Sequence, residues 1–466
     1  VKQGFTPPEP AAPASAAVEQ GVSAAHRARV ERLRAAVAGE GVIGLGKPTS
    51  NLFRDRVESG KRRIDVSAFT HVLNVDPQSG CVDAEGMVPY DALTDACLAN
   101  NLMPAVVPQL KSITLGGALA GVGIEATSFR HGLVHDTVRE FDVLTGAGEL
   151  VTARPDNEHA DLFFGFPNSY GTLGYALRVR ASTLPVKPFV AVEHRRFTRA
   201  GEFLAQLADE CLRVYANEAD FIDGVVFARD ELVLNVARFV DRAPYTSDYT
   251  YEKIYYRSLL ERNVDYLTTR DYVWRWDTDW FWCSKNVGAQ NPLLRRLFGR
   301  ARLNSRTYQR IMRANSRLGL LRAIDHASGY RESIIQDVDI PLARAAEFLD
   351  FYLREIGLLP VWICPIGVTP DAGRFPLFAR SNAMYVNFGF WDVKRMREPH
   401  APGHFNRLLE RKVAELGGIK SLYSDSYFTR EEFNAAYGGE AYARLKARYD
   451  PRARLGDLYA KCVLRQ

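Results

Sequence analysis

The sequence predicts an α+β fold in two parts, the second of them one antiparallel sheet assembled from two β-α-β-β units. Three observations predict it. From Arg62 onward, short runs with apolar alternation trade places with runs of helical period. The order strand, helix, strand, strand read over 189–240 returns over 332–391, and two such units pair into a sheet with its helices on one side. A glycine-dense segment, 102–135, separates the first alternating elements from the first unit.

Taken in chain order, residues 1–29 are expected to be a flexible tail, since the opening 25 are rich in Pro and Ala and have no apolar period. They also lack the basic and apolar blocks of a signal peptide. RIDVSAF then reads as a strand, HVLNVDPQSGCVDAEGMV as strands around a turn at Pro77–Gly80, and DALTDACLANN as an amphipathic helix. VREFDVLTGAGELVTA reads as a hairpin turning at Gly146–Gly148. The composition shifts after Pro185. In the second repeat, strand ESIIQDVDI, helix LARAAEFLDFYLREIG and strands PVWICPI and NAMYVNFGFW mirror the first, and about 241–331 links the two.

A chain of 466 residues holds two to four domains. Its 47% hydrophobic and 25% charged residues are ordinary globular values, which excludes wholesale disorder. No run of about 18 apolar residues occurs, so no spanning helix is expected and the protein is placed in the cytoplasm, free or peripheral at the inner face of the membrane. The six cysteines are scattered without metal-like spacing, so neither a disulfide framework nor a metal site is expected. Arginine outnumbers lysine four to one, a bias that looks like GC-rich coding and not nucleic-acid binding. Residues 291–322 stand apart: Arg295, Arg296, Arg300, Arg302, Arg306, Arg310, Arg313, Arg317 and Arg322 alternate with leucines and carry no acid. This is either a solvated helical face or a contact for anionic lipid headgroups. No nucleic-acid motif accompanies it.

Two short motifs fail on context. Gly41-x4-Gly46-Lys47 resembles a phosphate loop, but Pro48 stands where a metal-binding hydroxyl belongs. Gly121-Val-Gly123-Ile-Glu-Ala126 has no clean strand before it and no βαβ unit after it. The longer run PQLKSITLGGALAGVGIEATSFRHGL, 108–133, alternates small residues with hydroxyls. Glycines let backbone approach a ligand and successive free N–H groups make a cradle for pyrophosphate; a purely structural glycine-rich turn is the alternative.

AVVPQLKSITLGGALAGVG, VREFDVLTGAGELV and DLFFGFPNSYGTLGYALRVRASTLP together resemble, in order and spacing, the FAD-binding domain of the vanillyl-alcohol oxidase and para-cresol methylhydroxylase (PCMH) type. The resemblance implies a two-lobed FAD-binding domain over 30–187, a substrate (cap) domain over 188–404 and a return to the FAD domain over 405–466. It places the pyrophosphate against Ser112, Thr114, Leu115, Gly116 and Gly117 and against Gly121, Gly123 and Ile124. The flavin ring would lie near His131 and Gly132, with Gly171, Thr172 and Gly174 closing the site. The first phosphate loop becomes Lys47 to Arg54, with Lys47, Thr49, Ser50 and Asn51 as cofactor residues; it has no His or Cys, so FAD is expected to bind without a covalent link.

From about residue 40 the chain also resembles the Δ24-sterol reductase branch of that family, through GIEATSFRHGL, DYLTTRDYVWRW, NPLLRRLFG, QDVDIPL, PVWICPI and LYSDSYFTREEFNAAYGG. That branch reduces a carbon–carbon double bond with NADPH through FAD. The TSNLFR loop and the arginine bias point to an actinobacterial group similar to reductases that convert a 10-methylene fatty acyl chain to 10-methyl. This implies a hydrophobic, phospholipid-bound substrate and a functional partnership with a fatty-acyl methyltransferase. A sterol side chain is the alternative within the same chemistry, and an FAD-dependent alcohol or hydroxy-acid oxidase is the alternative outside it. Sugar-oxidising relatives place a lysine before Asp-Ser in a C-terminal run, whereas Tyr423-Ser424-Asp425-Ser426 has serine there, which counts against oxidase chemistry of their kind.

An unactivated branched alkene is a poor hydride acceptor, so its reduction needs an acid and an apolar, electron-rich lining. Trp274, Trp276, Trp280 and Trp282 all fall on even positions, one face of an extended segment. They are candidates for that lining, with Asp277 or Asp279 supplying the proton; a packed cap sheet with its aspartates in water is the other reading. Further acid candidates are His326, Glu332, Asp337 and Tyr423. Cys364, in WICP, reads as a buried strand residue and not a nucleophile.

Overall fold

The computed structural model describes residues 24–37, 41–47, 53, 60–213, 219–318 and 330–466. In the first part, β1 (Ile43–Gly46) and β2 (Arg62–Asp65) form a parallel pair. Strands β3 (Val72–Asp76), β4 (Cys81–Glu85), β5 (Leu102–Pro104), β6 (Val138–Thr145), β7 (Leu150–Ala153) and β8 (Gly174–Pro185) build an antiparallel sheet. Its order is β3-β4-β8-β6-β7, with β5 also pairing to β8. The hairpin read at Gly146–Gly148 joins β6 to β7, and Gly148 has the positive φ of 88° that such a turn favours.

The expected tail is too long. A helix, Ala24–Val37, buries Val30, Leu33 and Val37, and His26 and Arg29 bind the buried Glu85 at 2.7 and 2.5 Å. Its arginines hid a three-residue apolar stripe. The rest of the predicted tail lies outside the described residues.

The second part is one eight-stranded sheet of β9 (Phe189–Phe197), β10 (Phe221–Ala228), β11 (Glu231–Val240), β12 (Val264–Thr268), β13 (Tyr330–Pro341), β14 (Val361–Ile366), β15 (Tyr385–Met396) and β16 (Ile419–Lys420), in the order β12-β9-β11-β10-β14-β15-β13-β16. Both β-α-β-β units are present, and β12 and β16 extend the edges. One face, through Ile222, Leu234, Val338, Ile363 and Phe388, packs on helices Ala200–Leu212, Ala345–Glu355 and His404–Glu415. The other, through Phe221, Val233, Trp362 and Cys364, faces the first part. Because His404–Glu415 and β16 still belong to this sheet, the return to the first part starts after Lys420 and not at 405; helix Gly439–Tyr449 then packs on helix Ala160–Gly165.

The aromatic run is not a strand. The Thr268 side chain accepts a hydrogen bond from Asp271 N at 3.1 Å and starts a short helix, Thr269–Val273. Turns follow, through left-handed Trp280 (φ 46°) and Phe281 (φ 58°), so the four tryptophans share no strand face. Local period two was outweighed by long-range partners that fold this segment into the core.

Candidate active site

Lys47 follows β1 directly, and its Nζ stands 3.9 Å from the point a Cβ on Gly117 would occupy; Thr114 Oγ1 is 2.7 Å from that point. The Thr114 hydroxyl is buried without a hydrogen-bond partner. A glycine, an ammonium and an unpaired hydroxyl meeting at one place fit the pyrophosphate of a dinucleotide. Leu115 and Gly116 do not extend this cradle, because their amides already donate to Val88 O (3.0 Å) and Gly86 O (2.8 Å). Nor does Gly123 need a ligand to explain it: a Cβ there would meet Pro108 and Val134 at 2.8 Å. Ser112 is buried at the foot of the loop and Ile124 is half-buried beyond it. Thr49, Ser50 and Asn51 lie outside the described residues.

The loop 168–174 packs on this segment through Tyr170, in a way the glycines alone did not reveal. Tyr170, at φ 50°, donates from its hydroxyl to Gly121 O at 2.9 Å. Thr172 uses its own hydroxyl on Ser169 O (2.8 Å), so it shapes the loop and offers no donor. Two lysines from the C-terminal helices brace it, Lys461 to Tyr170 O (2.5 Å) and Lys446 to Thr172 O (2.7 Å). Gly171 (φ 77°) and Gly174 (φ 159°) supply the bends. His131 ends a short helix, where burial and the neighbouring Arg130 pull its pKa down to about 4 and keep it neutral. Gly132, at φ 71°, lets the chain pass Asp136, which accepts from Thr369 (2.7 Å) and Arg380 (2.6 Å).

The first part is joined to the sheet by a buried charge network. Arg275 Nη2 binds Glu125 Oε1 at 2.9 Å and Asp223 Oδ2 at 2.8 Å, and its guanidinium lies 4.0 Å from the Tyr272 ring centroid. Trp362 Nε1 also donates to Asp223 (3.2 Å), and Cys364 Sγ to Glu125 O (3.2 Å). Cys364 is therefore the buried strand residue expected, its thiol pushed far up by burial. Glu125 follows the Gly121–Ile124 segment, so this network fixes the cofactor loop against β10 and β14. Sequence reasoning missed it, although an acid in the otherwise apolar strand FIDGVVFA was a readable signal.

At the far end of the first phosphate loop, Phe53 N donates to Tyr423 O (2.9 Å), and the Phe53 ring packs on Trp280 (5.4 Å) and Tyr423 (5.7 Å). The Tyr423 hydroxyl accepts from Trp391 Nε1 at 2.7 Å and meets the Asp337 carboxyl. Burial raises Asp337 to about 7, with the Tyr423 hydrogen bond working against the rise and Asp339 adding to it. Asp337 Oδ1 and the Ser424 hydroxyl are buried without partners. Asp337 and Trp391, on the sheet's inner face, and Tyr423 and Phe53 beside them are each partly exposed.

The other acid candidates belong to the scaffold. Asp277 accepts from Lys111 N (3.0 Å) and Ser305 Oγ (2.5 Å), tying the loop before Ser112 to helix Ser305–Leu318. Asp279 is held by both Arg295 terminal nitrogens, at 2.5 and 2.9 Å, and by Ser284. Asp279 has both oxygens engaged, whereas Asp277 keeps Oδ2 buried without a hydrogen-bond partner, 4.0 Å from Lys111 Nζ. Glu332 points to the wrong face, where it accepts from Phe405 N (3.2 Å) and Asn406 N (2.8 Å) at the start of helix His404–Glu415. Period two along β13 separates it from Asp337, which makes this miss avoidable. His326 lies outside the described residues.

Comparison with known proteins bears on the cofactor. Residues 19–154 match the family described as FAD binding domain. The chain is an FAD-dependent oxidoreductase. It is similar to the Delta(24)-sterol reductase of Homo sapiens, 25% identical over 84% of this chain and 75% of that one. The Delta(24)-sterol reductase of Pisum sativum is 26% identical over 86% and 76%. Cytokinin dehydrogenase 10 of Oryza sativa subsp. japonica is 34% identical, but over only 26% of this chain. The flavoenzyme thus has a PCMH-type FAD-binding domain, with Lys47, Thr114 and Gly117 as the residues that would hold the pyrophosphate. No helix among the described residues is long and apolar enough to cross a membrane.

Proposed function

We propose that this flavoenzyme reduces a carbon–carbon double bond in a lipid with electrons from NADPH, and that its substrate is a 10-methylene fatty acyl chain carried on a phospholipid. The likeness to Delta(24)-sterol reductases over more than four fifths of the chain supports reduction of a double bond. The observation that carries the chemistry is the partly exposed Asp337–Tyr423 pair beside Trp391 and Phe53. Bound FAD, once reduced by NADPH, supplies the hydride.

The protein's own residues supply the proton. When Asp337 is protonated its O–H can donate to Tyr423 Oη, which also accepts from Trp391, and the phenol's own hydrogen is then free to turn toward a bound alkene. As the phenol protonates the terminal methylene carbon, the alkene π electrons form the new C–H bond and Asp337 replaces the proton on Tyr423. The proton makes the methyl group and leaves the branched carbon electron-deficient, where a hydride would form the second C–H bond, and Asp337 is left as carboxylate to recover a proton from water. Trp391, Trp280 and Phe53 present π faces that favour the developing positive charge. The second reading, a sterol side chain, is favoured by the printed activity of the relatives and uses the same acid.

The test is anaerobic. NADPH should bleach the flavin, and methylene-branched phospholipid should restore its colour with formation of the methyl-branched chain. Recovery with a Δ24-unsaturated sterol and not with the phospholipid would assign the second reading; bleaching by a polar alcohol with no response to NADPH would overturn both.

A further inference from the structure

The helix Pro292–Phe298 is built inside out. Asn291 caps it, accepting from Leu293 N at 2.9 Å, Pro292 fits its first turn, and Gly299 (φ 69°) ends it. Within it the charged Arg295 is 2% exposed, whereas Leu293 is 71%, Leu297 76% and Leu294 43% exposed. Leu293 and Leu297 are one turn apart on one face. A buried arginine and outward leucines on the same short helix reverse the arrangement that water alone would select.

Basic side chains follow this apolar face in the chain. Arg296, Arg300, Arg302 and Arg310 are exposed in the same segment, as is Ile311 at 37%, and no acid occurs between 291 and 322. Arg296 meets Glu252 at 3.3 Å and Arg300 meets Asp248 at 2.7 Å, but these pairs are more than half exposed and contribute little, so the guanidinium groups remain available to phosphate.

We propose that this face docks on an anionic lipid bilayer, the leucines entering the headgroup boundary and the arginines meeting lipid phosphates. Charge argues against a second copy as the occupant, because a two-fold contact would set arginine against arginine. The docking helix is fixed to the molecule by Arg295–Asp279, and Asp279 sits in the turn that places Trp280 against Phe53. The membrane-facing side is therefore bonded to the segment that packs on Phe53 beside Tyr423. This inference does not depend on the identity of the reaction.

Flotation of the full-length, FAD-loaded protein with vesicles tests it. Phosphatidylcholine–phosphatidylglycerol vesicles should capture the protein, added salt should weaken capture, and phosphatidylcholine alone should capture far less. L293E/L297E should cut the affinity at least tenfold, and each of R296Q, R300Q, R302Q and R310Q about fivefold or less. The flavin spectrum and melting midpoint of each variant should match the wild type, since the side chains changed are exposed. Equal capture of L293E/L297E and wild type would overturn the proposal, as would absence of capture by anionic vesicles. So would a wild-type dimer that L293E/L297E converts to monomer, because the face would then be a contact between copies.

Discussion

The two faces of the eight-stranded sheet come from the same strands but carry different chemistry. The face under the helices is mostly aliphatic and aromatic, with Ile222, Leu234, Val338, Ile363 and Phe388 packing on Phe348 of the covering helix, and its buried Glu332 and Gln336 are matched by Asn406. The face toward the FAD domain buries Asp223, Asn235, Asp339 and Asn387, with Asp337 alongside. Apolar packing alone would hold both faces together at lower cost, since each buried polar group must be matched or pushed from its ordinary titration. The polar face carries the greater cost, and it can be tested separately from the other.

The largest effect should come from Arg275→Ala. It leaves Glu125 and Asp223 buried without their cation, a loss of about 3–5 kcal/mol, and it should also loosen FAD because Glu125 follows the cofactor segment. Chemical denaturation and flavin content measure the two. Loss of stability with full FAD retention would show that the network holds the sheet but not the loop. On the other face, Phe348→Ala should cost about 3–4 kcal/mol by opening a cavity, and turnover per FAD-loaded molecule should stay near wild type. A large turnover defect in that variant would erase the distinction between the faces.

Tyr423→Phe sharpens the comparison further. It keeps the ring against Phe53 and removes the hydroxyl, so the rate of lipid-dependent flavin reoxidation should fall about a hundredfold or more while NADPH still bleaches the flavin. An unchanged reoxidation rate would remove Tyr423 as proton donor.

How much of this was readable beforehand differs by region in the same way. The helix-covered face follows from local pattern: strands alternate, helices repeat at 3.6, and both β-α-β-β units appear where period alone puts them. The hairpin at Gly146–Gly148 is equally local. The site is not. The aspartates at 277 and 279 read as acids near aromatics, but their meaning is set by Lys111, Ser305 and Arg295, none of which spacing could assign. The run 274–282 misled for the same reason, since long-range packing selected turns where the tryptophan period suggested a strand. Among the glycines, Gly117 is crowded by the unpaired Thr114 hydroxyl, while Gly116 and Gly123 are required by Gly86, Pro108 and Val134, a division visible only once the chain is folded.

The effect that vanishes at low pH is also the most specific to the polar face, because its sign is unusual. Burial raises Asp337 to about 7, so the folded protein holds this proton more tightly than the unfolded chain, whose carboxyl titrates near its ordinary value of 3.8. Such a group contributes stability that is fully present below the unfolded value and is lost as pH rises through the folded one. Asp337→Asn keeps the neutral shape and removes the charge. It should match wild type in stability below about pH 4, gain on it steadily as pH rises to about 7, and keep a constant advantage of about 4 kcal/mol at about pH 8. Asp339, raised by burial to about 6 with Asn387 opposing the rise, titrates in the same window, so the difference between the two proteins carries the test and not the wild-type curve alone. Turnover should move the other way: in wild type it should fall as pH passes about 7 and the proton on Asp337 is lost, and in the asparagine variant it should be low and flat across that range. A variant less stable than wild type at about pH 8 would mean that Asp337 is held as a carboxylate, and Tyr423 would then lack the reservoir that refills it.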